Sequence, residues 1–236
     1  MHSRQKKNSG RLSLGKGVIV IKHLGDICKI NGAEIEPVDV ISAGSPCQDL
    51  SVAGLRKGLQ HTDKGDGETT RSGLFMEQMR VIKEMRNADS KRGRADDSVR
   101  PRYLVWENVP GALSSGKDAN GKPCKGADFQ AVLTEIVKVV EPTTPDVPLP
   151  DGGKWAKQGC LYGVGINGIP FSVAYKVHDA QFYGVPQRRK RLVVLADFNG
   201  LTAAGILFDP QLERATEGSE SDFVVGSLGA GSRSEI

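Results

Sequence analysis

Cysteine is scarce in this chain, and the few cysteines stand far apart. Cys28, Cys47, Cys124 and Cys160 form no Cys-x-x-Cys pair. That spacing predicts neither a zinc site nor a disulfide framework, and makes a reducing cytoplasm the default compartment. Apolar runs are short, none long enough to cross a bilayer, so no membrane partner is expected. The basic start, Met1 to Asn8, has no apolar stretch behind it resembling a signal peptide. There is no internal repeat. A large excess of one charge is also lacking: the net +4 is compatible with nucleic acid but does not by itself imply it. What remains is a chain of 236 residues, 38% hydrophobic. It is long enough for one domain with a sizeable core, alone or with a small appendage.

Residues 1–17 are polar, basic and rich in glycine and serine and read as a disordered leader. Gly15 and Gly17 precede the apolar run Val18–Ile21, whereas a phosphate-binding loop follows its strand, so they belong to that leader. A polar connection from Cys28 to Pro37 leads to Val38–Ile41, a β-branched run expected to be a buried strand ending at Ser42, Ala43 and Gly44. Pro46 then stops ladder pairing, which places Cys47 on a stiff turn at the carboxyl end of the strand. Val52–Ser72 reads as a glycine-rich loop. Leu74, Phe75, Met79, Ile82 and Met85 fall near helical spacing from Gly73 onward, and Asn87–Pro101 reads as a polar loop. Tyr103–Pro110 reads as a second buried strand carrying a carboxylate and an amide near its end, Phe129–Val137 as a second helix, and Glu141–Gly153 carries no expected element. Phe171–Val177 alternates as a half-buried strand, with Arg191–Asp197 pairing beside it as the last one. Residues 18–200 are thus expected to form one α/β domain, followed by a loose polar tail over 201–236.

Three stretches carry chemistry. Pro46-Cys47-Gln48, Glu107-Asn108-Val109 and Gln187-Arg188-Arg189-Lys190-Arg191 each adjoin a predicted strand. Alone, Cys47 reads as a small buried residue, Glu107 as a strand-end carboxylate and the cations as a solvated run. In this order, with these flanks, they resemble the DNA (cytosine-5)-methyltransferase family. The resemblance implies methylation of DNA, as in restriction-modification, on a Rossmann-like α/β fold. Cys47 would attack carbon 6 of cytosine, because carbon 5 is too poor a nucleophile until the ring becomes enamine-like. Glu107 would protonate or hydrogen-bond ring nitrogen 3. Arg191 would contact the exocyclic oxygen, and Arg189 would hold the active-site loop and phosphate. The base must be flipped out of the stack, and Gln48, Ser51, Arg188 and Lys190 would contact the DNA. A thiol hydrolase fits less well, since His178 is the only histidine near a candidate strand end.

The same resemblance implies S-adenosyl-L-methionine as methyl donor, with Asp26, Ile27, Pro46 and Leu74 on its adenine side. The family's opening strand with its Phe-x-Gly-x-Gly loop, and its target-recognition region, have no counterpart in this sequence. The catalytic domain is therefore expected to be incomplete, lacking its first βα units. Two readings stay open: a cytosine-5 methyltransferase, alone or with a complementary polypeptide carrying the cofactor loop, or an inactive or split fragment that only binds DNA without sequence preference.

Overall fold

The computed structural model describes residues 10–14, 17–44, 71–118, 122–184, 186–208 and 223–227. Pro46, Cys47, Gln48 and Ser51 lie outside these residues, as do residues 52–70 of the loop expected after them.

Alternation of side chains builds the central sheet. In Tyr103–Asn108 (β4), Leu104, Trp106 and Asn108 are buried on one face while Tyr103, Val105 and Glu107 take the other. Val40–Gly44 (β3) runs parallel to β4, with Gly44 opposite Glu107. Lys190–Asp197 (β7) runs antiparallel to β4 on its other side, and Pro170–Asp179 (β6) runs antiparallel to β7. Gln158–Val164 (β5) forms an antiparallel pair with β6, and Phe223–Ser227 (β8) adds to β5 in parallel. The order across the six strands is β3-β4-β7-β6-β5-β8. It is a mixed sheet with helices, in agreement with the expected α/β class.

Two helices cover one face. Arg71–Lys91 (α1) buries Phe75, Met79, Ile82 and Met85, the positions whose spacing predicted it. Ala127–Val137 (α2) buries Phe129, Val132, Leu133 and Ile136. Both pack on Leu104, Trp106, Val173, Tyr175, Leu192 and Val194 in one apolar cluster. Phe75 meets Trp106 edge-on at 5.8 Å between ring centroids, a preferred aromatic geometry. The opposite face carries a smaller cluster of Cys160, Ala174, Leu195 and Ala203, the last from the short helix Ala203–Leu207 (α3).

Several boundaries differ from expectation. The predicted leader contains Gly10–Leu14 (β1), which pairs antiparallel with Gly17–Ile21 (β2) as a separate two-stranded sheet. Helix α1 runs on into the predicted loop as far as Lys91: Asn87, Ser90 and Lys91 face solvent, while buried Asp89 accepts from the Arg100 N–H at 3.0 Å. The helix stops just before Gly93, whose φ of +88° suits glycine alone. β3 is an edge strand rather than a buried one, with Val40 51% exposed. β5 was not anticipated, and β7 is not the last strand, because β8 follows it from within the expected tail.

Candidate active site

The sheet brings together, at one edge, chain segments that are remote in sequence. β3 and β4 end there, β6 ends there, and β7 starts there. In α/β sheets the carboxyl ends of parallel strands are where ligands collect. Gly44 is the last residue of β3, and a Cβ added to it would lie 3.4 Å from the Glu107 carbonyl. Cys47 follows three positions later in the sequence.

Glu107 and Arg191 meet on the face away from α1 and α2. Val193 is the ladder partner of Glu107, so Arg191 is its diagonal neighbour on the same face. Arg191 Nε lies 2.7 Å from Glu107 Oε1, and its Nη1 donates to the Lys190 carbonyl at 2.8 Å. The pair is open to solvent, with 32% and 48% of the two side chains exposed. An ion pair this exposed contributes no more than about 1 kcal/mol to stability. Its consequence is geometric: the carboxylate and guanidinium are held side by side, with further N–H donors of the guanidinium left to face a ligand.

Hydrogen bonds tie the chain in the turn that precedes Arg191. Asp179 caps the short helix Ala180–Tyr183 by accepting from the Gln181 N–H at 3.3 Å, and Gly184, at φ +77°, closes it. The Ala180 N–H donates to the Arg189 carbonyl at 3.0 Å. His178 is the ladder partner of Arg191, and its Nδ1 lies 2.6 Å from the Tyr183 hydroxyl. Arg188, Arg189 and Lys190 project exposed from this turn. The structure therefore brings Arg191, and not Arg189, to Glu107.

Of the residues assigned to the cofactor that the structure describes, Leu74 lies on α1, and Asp26 and Ile27 belong to a turn that α1 holds. Asp26 is exposed and accepts from the Cys28 N–H at 3.0 Å, capping the turn Ile27–Lys29. Arg80 of α1 grips that turn, donating to the Ile27 carbonyl at 3.1 Å and the Ile30 carbonyl at 2.9 Å. Glu77 and Glu84 hold Arg80 in turn, at 2.6 and 2.8 Å. The Glu77 hydrogen bond first, then Glu84, keeps its guanidinium above the usual arginine range despite the desolvation that opposes them. Gly32 lies against the α1 backbone, where a Cβ would come 2.4 Å from the Val81 carbonyl, and its N–H donates to Glu84 at 2.8 Å. Half-buried Leu74 sits on α1 six residues before Arg80, or about 9 Å along the axis. The exposed Asp26 carboxylate retains acceptor capacity beyond its cap of Cys28, and Leu74 is a partly exposed apolar side chain. Arg80 and Glu84 were missed from sequence, and His178 was noted there only as a poor candidate base for a thiol hydrolase. Only the Glu77-Arg80-Glu84 spacing could have flagged the first two.

Residues 18–125 match the family model described as C-5 cytosine-specific DNA methylase. A DNA N-6-adenine-methyltransferase of Escherichia phage P1 is 32% identical over 212 residues, 80% of this chain and 24% of that protein. The type II methyltransferase M.BsuFI of Bacillus subtilis is 26% identical over 171 residues, 72% of this chain and 27% of that one. The chain thus spans about a quarter of the length of these relatives. The solved Dnmt2 methyltransferase of S. pombe aligns with a TM-score of 0.41 at 15% identity, over 85% of this chain and 42% of that one.

Proposed function

We propose that the protein methylates carbon 5 of cytosine in DNA, a reading supported by the match of residues 18–125 to the C-5 cytosine-specific DNA methylase model. The observation that carries this reading is the Glu107–Arg191 pair at 2.7 Å, beside the end of the strand that leads to Cys47. Carbon-5 chemistry needs a nucleophile for carbon 6 and a proton donor for the ring nitrogen that gathers charge. It also needs a cation for the exocyclic oxygen. Cys47, Glu107 and Arg191 are the residues of this chain suited to those tasks.

In this reading the target base leaves the stack, and the Cys47 thiolate adds to carbon 6. Glu107 donates a hydrogen bond or proton at nitrogen 3, so that the ring electrons are localised at carbon 5. Arg191 holds the exocyclic oxygen while its Nε keeps Glu107 aligned. S-adenosyl-L-methionine supplies the methyl group, with Asp26, Ile27, Pro46 and Leu74 on its adenine side. After transfer the carbon-5 proton is lost and the Cys47 sulfur leaves, restoring the aromatic ring. Arg188, Arg189 and Lys190, with Gln48 and Ser51, serve the DNA backbone and the space the base vacates.

Methylation of the adenine amino group is the second reading, favoured by the name of the phage P1 relative. An exocyclic amine attacks a methyl donor directly and needs no thiol adduct, so that reading leaves Cys47 and the Glu107–Arg191 pair without a task. The two are separated by incubating the protein with duplex DNA and labelled methyl donor, then digesting the DNA to nucleosides. Label in 5-methylcytosine supports the proposal. Label in N6-methyladenine alone would overturn it.

A further inference from the structure

Exposed aromatic rings are rare here: aromatic residues make up 6% of the chain, and most of the larger ones are in the core. Two consecutive exceptions sit on the turn between β6 and β7, Phe182 at 47% exposure and Tyr183 at 43%. Asp179 caps this turn, Gly184 closes it, and the Ala180 N–H ties it to the Arg189 carbonyl. Tyr183 has a partner, since its hydroxyl meets His178 and its ring lies tilted at 5.5 Å from the imidazole. Phe182 has no such partner: among the described residues no ring contact involves it. A hydrogen-bonded turn that presents a large apolar ring to water forgoes the free energy of burying it, which is the mark of a surface meant for contact.

The surroundings say what the contact is. After four intervening residues, the rings are followed by Arg188, Arg189 and Lys190, all exposed. A cleft of about 330 Å³ lies beside them, lined by Gln181, Gly184, Pro186, Gln187 and Arg188. Aromatic faces interleaved with cations are the pattern by which proteins hold unpaired nucleic acid. Bases stack on the rings while phosphates meet the charges. Polypeptide partners with acidic side chains would satisfy the cations but leave the rings without a flat apolar counterpart.

We infer that Phe182 is a stacking platform for an unpaired nucleobase of the DNA, with Tyr183 fixed beside it by His178 and the neighbouring phosphates on Arg188 and Lys190. The inference rests on the DNA reading above. It adds a base-binding surface outside the Cys47, Glu107 and Arg191 set, at the same edge of the sheet. A strand from which one cytosine has been extruded has lost a stacking neighbour, and a ring at this edge would replace it.

The test uses the full chain and two labelled duplexes, one fully paired and one carrying a single unpaired 2-aminopurine, titrated over a range of salt. Wild-type protein should bind the second more tightly and quench its fluorescence by stacking. Phe182→Ala should weaken binding of the unpaired duplex about tenfold and abolish quenching. It should leave the slope of log affinity against log salt unchanged, and Phe182→Trp should retain both binding and quenching. Arg188→Ala should instead lower that slope by about 0.9. Because Phe182 contributes nothing to the core, its alanine variant should keep the wild-type circular dichroism. Unchanged affinity and quenching in Phe182→Ala, with normal salt-dependent binding, would overturn the platform and leave the DNA reading standing. Failure of wild type to bind either duplex would overturn both.

Discussion

The Glu107 carboxylate and the Arg191 guanidinium share one face of two antiparallel strands, and the proposed chemistry turns on that contact. Glu107→Gln keeps the size and can still accept from Arg191, but it cannot give up a proton. Methyl transfer should fall by about 10²- to 10⁴-fold, with DNA affinity nearly unchanged when measured on the same preparation. Cys47→Ser should eliminate the covalent complex that DNA containing 5-fluorocytosine forms in the presence of methyl donor, since an alcohol at neutral pH is a far weaker nucleophile than a thiolate. Persistence of that complex would remove Cys47 from the mechanism. The motif order in the sequence was enough to nominate these residues. It could not say which arginine reaches Glu107, because that depends on the β4–β7 register, where Val193 stands opposite Glu107 and Arg191 falls on the diagonal.

At the scale of elements, β7 is held by its far end as well as by its ladders. Asp197 closes the strand fully buried, and accepts from Arg102 Nε and Nη2 at 2.9 and 3.0 Å and from the Asn199 and Thr202 N–H groups. Burial alone would raise its pKa. The Arg102 hydrogen bonds, the Thr202 hydroxyl and the two backbone donors prevail, and hold it below the usual carboxylate range. A carboxyl depressed in the folded state stabilises the fold fully above its unfolded value of about 3.9. That contribution is lost as pH falls through the lower folded value. Asp197→Asn should therefore lower stability by about 3 kcal/mol at neutral pH. In urea unfolding over a pH series, the gap from wild type should shrink in strong acid. A gap independent of pH would mean the asparagine is disturbing packing rather than charge. Trp106 anchors β4 on the other side. Trp106→Ala empties a fully buried site against Phe75 and should cost about 3–5 kcal/mol.

For the molecule as a whole, the net charge is only +4, so DNA affinity has to come from where the cations stand. Arg188, Arg189 and Lys190 cluster at the edge that carries the candidate site. Replacing all three with alanine should lower the slope of log affinity against log salt by about 2–3. A slope that did not move would place the DNA elsewhere. The sequence by itself determined the helix and strand periodicities that place α1, α2, β4, β6 and β7. It also determined the order of the three motifs at strand ends, because both signals are local: side-chain spacing is set by 3.6- and 2-residue geometry. It did not reveal β5 or β8, whose residues become strands only by pairing, nor that β3 lies at the edge. The tertiary structure decided the sheet order, the insertion of β7 between β4 and β6, and the face on which Glu107, Arg191 and His178 fall. Ladder register is a long-range choice in which one residue of slip would turn each of these side chains to the opposite face, and nothing in the local sequence encodes it.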